Sequence, residues 1–148
     1  MNQNNHVQYD DNNIFAKMLK GEIPYHKVFE DDKTLAFMDI MPQAKGHVLV
    51  IPKQKAIDLA DLEPEYAAAV LMTAKKVMQA QRQVFEREGI IQMQLNGSQA
   101  GQTVFHYHVH LIPSSIHELG QIGRAVQQEC RDRRPHLVCR LLLEKTRR

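Results

Sequence analysis

His106, His108 and His110 alternate with Tyr107, Val109 and Leu111. On an extended strand, successive side chains point to opposite faces. The three imidazoles therefore share one face, stepped about 6.5–7 Å apart. Tyr107, Val109 and Leu111 fall on the other face, where they can anchor the strand in a core. Three imidazoles on one wall suit either metal ligation or proton and phosphoryl chemistry. The residues around them decide between the two.

The elements that must position this strand are legible along the chain. Asn13 is placed to cap a short helix over Ile14–Lys20, which Gly21 stops. Lys27–Glu30 and Thr34–Asp39 read as a hairpin turning at Asp31-Asp32. Residues 41–46 form a loop, and His47–Ile51 is a continuous apolar strand closed by Pro52. Pro64 suits the first turn of a long helix. Val70, Ala74, Val77, Met78, Gln81, Val84 and Phe85 keep helical spacing, with Gln81 the one polar interruption, and Gly89 ends it. Ile91, Met93 and Leu95 alternate with Gln92 and Gln94, giving a half-buried strand. A small-residue loop, Asn96 to Gly101, leads into the histidine strand. The predicted fold class is α+β: a five-stranded antiparallel sheet with one long helix and a short N-terminal helix.

Composition narrows the function classes. The 148 residues suit one domain with a sizeable core. No apolar run approaches the roughly 20 residues of a membrane span. The polar start, residues 1–12, has no signal-peptide core and reads as a flexible leader. Cys130 and Cys139 form no Cys-x-x-Cys motif, and with His136 they match no standard metal spacing. No disulfide framework is needed, which points to the cytoplasm. Residues 120–148 carry eight Lys/Arg against Glu129, Asp132 and Glu144. No aromatic residues interleave these charges as a nucleic-acid stacking surface requires, so the tail reads as a solvated basic end. His6, His26, His117 and His136 read as ordinary polar positions.

Taken together, these segments resemble the histidine-triad (HIT) nucleotide-binding family. The likeness lies in His106-x-His108-x-His110 with its apolar continuation, Asn96, Gln102-Thr103-Val104-Phe105, Phe37-Met38-Asp39-Ile40-x-Pro42-Gln43-Ala44, Gly46–Lys53, Ile14-Phe15 and Gly21–Pro24. It spans residues 13–119 and is most similar to the bacterial Hint-type purine nucleoside phosphoramidases. Residues 120–148 depart from the pattern and read as a basic extension. Its apolar clusters, Leu137-Val138-Cys139 and Leu141-Leu142-Leu143, have no evident partner.

The resemblance implies nucleotidyl transfer through histidine. His108 is then the nucleophile, forming a covalent nucleotidyl-imidazole that water hydrolyses. His106 and His110 donate to phosphate or relay protons, and His47 supports the triad from the neighbouring strand. Thr103, Gln102 and Asn96 supply neutral donors. Asp39 holds the ribose, while Ile23, Phe37 and Ile40 form a slot for a purine. No metal or cofactor is implied. The alternatives are a dinucleoside polyphosphate hydrolase, a non-catalytic nucleotide-binding protein, and a metalloprotein built on the three histidines. His110 argues against the nucleotidyltransferase branch, where glutamine usually stands. A homodimer is expected, because the long helix carries Leu71, Met72 and Met78 in addition to the stripe that one sheet face can cover.

Overall fold

The computed structural model describes residues 7–119 and 135–147. Cys130, His6 and five of the eight basic residues of the tail lie outside the described residues. The described chain runs α1 (Ile14–Leu19), β1 (Lys27–Glu30), β2 (Thr34–Met38), β3 (Val48–Pro52), α2 (Pro64–Phe85), β4 (Ile91–Met93), a 3-10 turn (Ser98–Ala100), β5 (Val109–Ile112), α3 (Ile116–Leu119) and α4 (Pro135–Thr146). The five strands form one antiparallel sheet in the order β1-β2-β3-β5-β4. This is the α+β architecture expected from the residue pattern.

β2 and β3 pair without a slip, from Thr34 opposite Pro52 to Met38 opposite Val48. Every residue of both strands is buried. Alternation sends Ala36, Met38, Val48 and Val50 to one face, where they meet Val70, Ala74, Val77 and Ala80 of α2. Leu35, Phe37, Leu49 and Ile51 go to the other, where Phe15 and Met18 of α1 cover them. α1 is short but capped, since the Asn13 side chain accepts from the Ala16 N–H at 2.9 Å. The second face is only partly covered, and the cavity described below opens there.

α2 begins at Pro64 as expected but stops before Gly89. Its cap is Glu86, in the left-handed region at φ 50°. The reason lies in packing: the Phe85 ring sits where any Cβ on Gly46 would have to go. Gly46, at φ +83°, is therefore required both for its turn and for this approach. Gln81 is fully buried. Its amide donates to the carbonyls of Gly46 at 2.9 Å and Leu111 at 3.0 Å, tying α2 to β5 and to the loop before β3.

The tail has a partner. α4 packs on α2 and β1, with Cys139 and Leu142 buried in the core. The Cys139 thiol donates to the Lys27 carbonyl at 2.9 Å, and the Thr146 hydroxyl to that of Val28 at 3.2 Å. The helix thus covers the edge strand β1. Among the described residues, no helix is long and apolar enough to cross a membrane.

Candidate active site

The regular ladder of β5 starts at Val109, later than the histidine pattern suggests. β3 and β5 pair from Val48 opposite Leu111, through Leu49 opposite His110, to Val50 opposite Val109, and the pairing stops there. β3 ends at Pro52, which has no N–H to continue the ladder. Its carbonyl instead bonds the His106 ring at 2.9 Å, while the Tyr107 N–H donates to the Ala56 carbonyl at 2.8 Å. The alternation survives. Tyr107, Val109 and Leu111 join the core on the α2 side. His106 and His108 are buried, and His110 is half-buried.

The partners fix where the protons sit. The Pro52 carbonyl can only accept, so Nε2 of His106 carries the hydrogen. Its Nδ1 then accepts from the Tyr9 hydroxyl at 2.6 Å. The same logic applies to His108, whose Nδ1–H donates to the His106 carbonyl at 2.7 Å and leaves Nε2 with a free lone pair. The Gln43 N–H donates to Nδ1 of His47 at 3.1 Å. Nε2–H of His47 therefore donates to Nδ1 of His110 at 2.9 Å, and Nε2 of His110 keeps its own hydrogen. Burial disfavours a charge on all four imidazoles. Burial, with the imidazoles of His110 and His108 next, pushes His47 down to about 3. Burial also pushes His106 to about 4, opposed by the Pro52 carbonyl, and His110 to about 4, helped by His108. His108 is lowered too, again by burial, with the His106 carbonyl acting in the opposite sense.

A cavity of about 490 Å³ opens on this face. His108, His110, Thr103, Asp39, Phe37 and Ile40 line it together, so six of the residues singled out in the sequence converge. His47 lies behind His110, and His106 is held on the protein side by Tyr9 and Pro52. Both ring nitrogens of His106 are thus occupied, so it is not placed to donate to a ligand as expected. Ile23, Asn96 and Gln102 do not line the cavity. Ile23 packs at the edge of the α1 cluster. Asn96 accepts from the Leu59 N–H at 3.0 Å and from the Gln94 amide at 2.7 Å. Gln102 is buried, accepting from the Gly97 N–H and donating to the carbonyls of Ile57 and Val104. These two amides hold the loop that presents Thr103.

Sequence reasoning passed over other lining residues: Phe15 and Met18 of α1, Leu49, and Met93 opposite His110. Strand alternation alone could have found Leu49, which shares a face with His47. Phe15 meets the His108 ring edge-on, with centroids 5.0 Å apart. The lining is apolar but for a few polar groups, the usual character of a small-molecule site.

Asp39 and His47 stand at the two ends of the β2–β3 loop, joined by the Asp39 N–H to the His47 carbonyl at 3.0 Å. One carboxylate oxygen of Asp39 accepts from the Met41 N–H at 2.9 Å, a turn contact. The other lies 3.5 Å from Nε2 of His47, a carboxylate beside a neutral imidazole rather than an ion pair. Burial raises the Asp39 carboxyl, and the Met41 N–H opposes that.

Asp39, His47 and His110 are also the one group among the described residues whose ligand atoms could surround a metal ion, all lying within 4.8 Å of one another. The hydrogen bonding does not fit an ion. Ligation by Nε2 of His47 needs its hydrogen on Nδ1, where the Gln43 N–H already points. Two donors would then face each other.

Comparison with known proteins agrees with this architecture. The chain matches the HIT domain over residues 20–117, and it belongs to that family. It is 43% identical over 107 residues to the adenosine 5′-monophosphoramidase hnt1 of Schizosaccharomyces pombe, an alignment covering 72% of this chain and 77% of that protein. Among solved structures it superposes on a Hit-like protein from Bartonella henselae with a TM-score of 0.76 and 38% identity, covering 95% of this chain and 98% of that one. A Zn-bound histidine triad family protein from Mycobacterium smegmatis gives a TM-score of 0.78 and 30% identity, covering 92% and 94%.

Proposed function

We propose that the protein hydrolyses purine nucleotide phosphoramidates through a covalent nucleotidyl intermediate on His108. One observation carries the reading: the His106 carbonyl holds the proton of His108 on Nδ1, leaving Nε2 as a free lone pair on a residue that lines the cavity. Nε2 attacks the α-phosphorus as the P–N bond breaks, and the departing nitrogen takes a proton from solvent and leaves as the amine. Water then displaces the nucleotide, its hydroxyl going to phosphorus and its proton to solvent, and restores neutral His108. Nε2–H of His110 and the Thr103 hydroxyl donate to the phosphate oxygens. Asp39 accepts from the ribose hydroxyls, and Phe37 and Ile40 flank the base. The kinship with adenosine 5′-monophosphoramidases at about 40% identity supports this substrate class.

The same reading takes the working unit as a homodimer paired through the exposed apolar side of α2, and the place of action as the cytoplasm, where the free Cys139 thiol is stable. The experiment that tests it is a rapid quench of the protein with adenosine 5′-monophosphoramidate. AMP covalently attached to His108 is the expected finding. Turnover without any attached nucleotide, at a rate His108→Ala does not change, would overturn it.

A further inference from the structure

Tyr9 precedes the first helix and does not line the cavity, yet its hydroxyl makes one of the shortest side-chain hydrogen bonds among the described residues, to Nδ1 of His106 at 2.6 Å. We propose that Tyr9 is a positioning residue for the nucleophile: by holding the His106 ring, it fixes the His106 carbonyl that keeps the proton of His108 off the attacking nitrogen. The inference rests on His108 being that nucleophile, as argued above.

The need for such a device follows from where the regular sheet ends. His106, Tyr107 and His108 precede the β5 ladder, so no strand pairing sets the direction of the His106 carbonyl. Side-chain and loop contacts do it instead. The His106 ring is fully buried and clamped at both nitrogens, by Pro52 on one side and Tyr9 on the other. The next residue is pinned by its N–H on Ala56. The chain that follows Tyr9 is itself latched. The Asp10 carbonyl accepts from the backbone and side-chain amides of Asn13. Asp11 pairs with Lys55 at 2.7 Å, the neighbour of Ala56, and the Asp11 carbonyl accepts from Lys20. The segment after Tyr9 therefore ties the His106 clamp to α1 and to the stretch around Ala56.

Without the Tyr9 hydroxyl, Nδ1 of His106 is a buried acceptor with no donor. The ring then gains by turning toward another donor, and that change breaks its bond to Pro52. Whatever loosens His106 loosens the carbonyl on which His108 relies. The competing tautomer of His108 carries its proton on Nε2 and cannot attack. Each molecule in that state is lost from the competent population, while the cavity that binds the nucleotide is untouched. Burial holds the Tyr9 phenol above its ordinary range, so it stays a donor near neutral pH.

Tyr9→Phe in the full chain removes the hydroxyl and keeps the ring, which meets His106 edge-on at 5.7 Å. With adenosine 5′-monophosphoramidate, kcat should fall by about five- to tenfold, the worth of one neutral hydrogen bond, with KM unchanged. The second readout needs no substrate: nitrogen NMR of the histidine rings. In the wild type, His108 should show a protonated Nδ1 and a bare Nε2; in Tyr9→Phe the two signals should move toward each other. Unshifted His108 signals, or a kcat equal to the wild type, overturn the proposal. Because the NMR is read without turnover, failure of the phosphoramidase reading would show separately, as a wild type whose rate on the phosphoramidate does not depend on His108.

Discussion

Nδ1–H of His108 donates to the backbone oxygen of His106, two residues earlier, at 2.7 Å. A carbonyl cannot return a proton, so this contact selects one tautomer of the buried ring and leaves the other nitrogen as a base and nucleophile. A nucleophile that acts by forming the intermediate cannot be replaced by its neighbours. His108→Ala is expected to cut phosphoramidate turnover by roughly 10⁴-fold. AMP binding, measured by calorimetry, should be largely kept. Near-normal turnover in the variant would remove His108 from the chemistry.

Much of this site is visible in the residue pattern, and the parts that are not share a cause. The strand holding His47 and the histidine alternation are short-range signals with a period of two, so they read directly from the chain. Phe37, Asp39 and His110 inherit their places from that register. The end of α2 did not, because Glu86 takes a left-handed cap to let Phe85 pack on Gly46, 39 positions away in the chain. Tyr9 meets His106 across 97 positions. Nothing local distinguishes that tyrosine from the polar residues around it. The same holds for α4: its apolar residues are evident, but its place on β1 depends on carbonyls of Lys27 and Val28.

Asp39 has two jobs that a substitution can separate. Its turn contact with the Met41 N–H requires only an oxygen acceptor, whereas binding ribose hydroxyls favours the charge. Asp39→Asn should therefore keep the loop and weaken recognition. Losing a charged acceptor is worth about 1.5–3 kcal/mol, or roughly 10- to 150-fold in affinity. Competition between AMP and 2′-deoxy-AMP is the measurement. The wild type should prefer AMP, and the variant should treat the two alike. A preference that persists undiminished would confine Asp39 to the turn.

Metal removal should leave the activity intact. The Gln43 N–H holds Nδ1 of His47 as an acceptor, and the proposed phosphate donors are His110 and Thr103. Turnover after exhaustive treatment with EDTA should match the untreated rate. Activity lost on chelation and regained with zinc would favour the metalloprotein reading.

The buried histidines also set how stability responds to acid. His47 sits at about 3, and His106 and His110 at about 4, against about 6.5 in the unfolded chain. Below 6.5 the unfolded state takes up protons that the folded state refuses. Stability is thus fully present above pH of about 6.5 and is lost as the pH falls toward 4. Each histidine contributes a slope of up to about 1.4 kcal/mol per pH unit in that window. Urea midpoints measured from pH 7.5 to 4.5 should drop steadily below 6.5, and His47→Gln should flatten the curve. Midpoints that stay level through this range would mean the imidazoles are charged in the folded state.

The last expectation concerns α2. Covering by the sheet and by α4 accounts for Val70, Val77 and Ala80, all buried. Leu71 and Met72 stay 53% and 62% exposed, adjacent on the helix and away from both. A second copy of the same helix, crossing about a two-fold axis, would bury both pairs at once. Light scattering at micromolar concentration should report about twice the 17.1 kDa chain mass. Leu71→Glu with Met72→Lys should lower it to that of one chain while leaving the far-ultraviolet spectrum unchanged. A wild type that already scatters as one chain, or a double variant that still scatters as two, would place the pairing surface elsewhere or remove it.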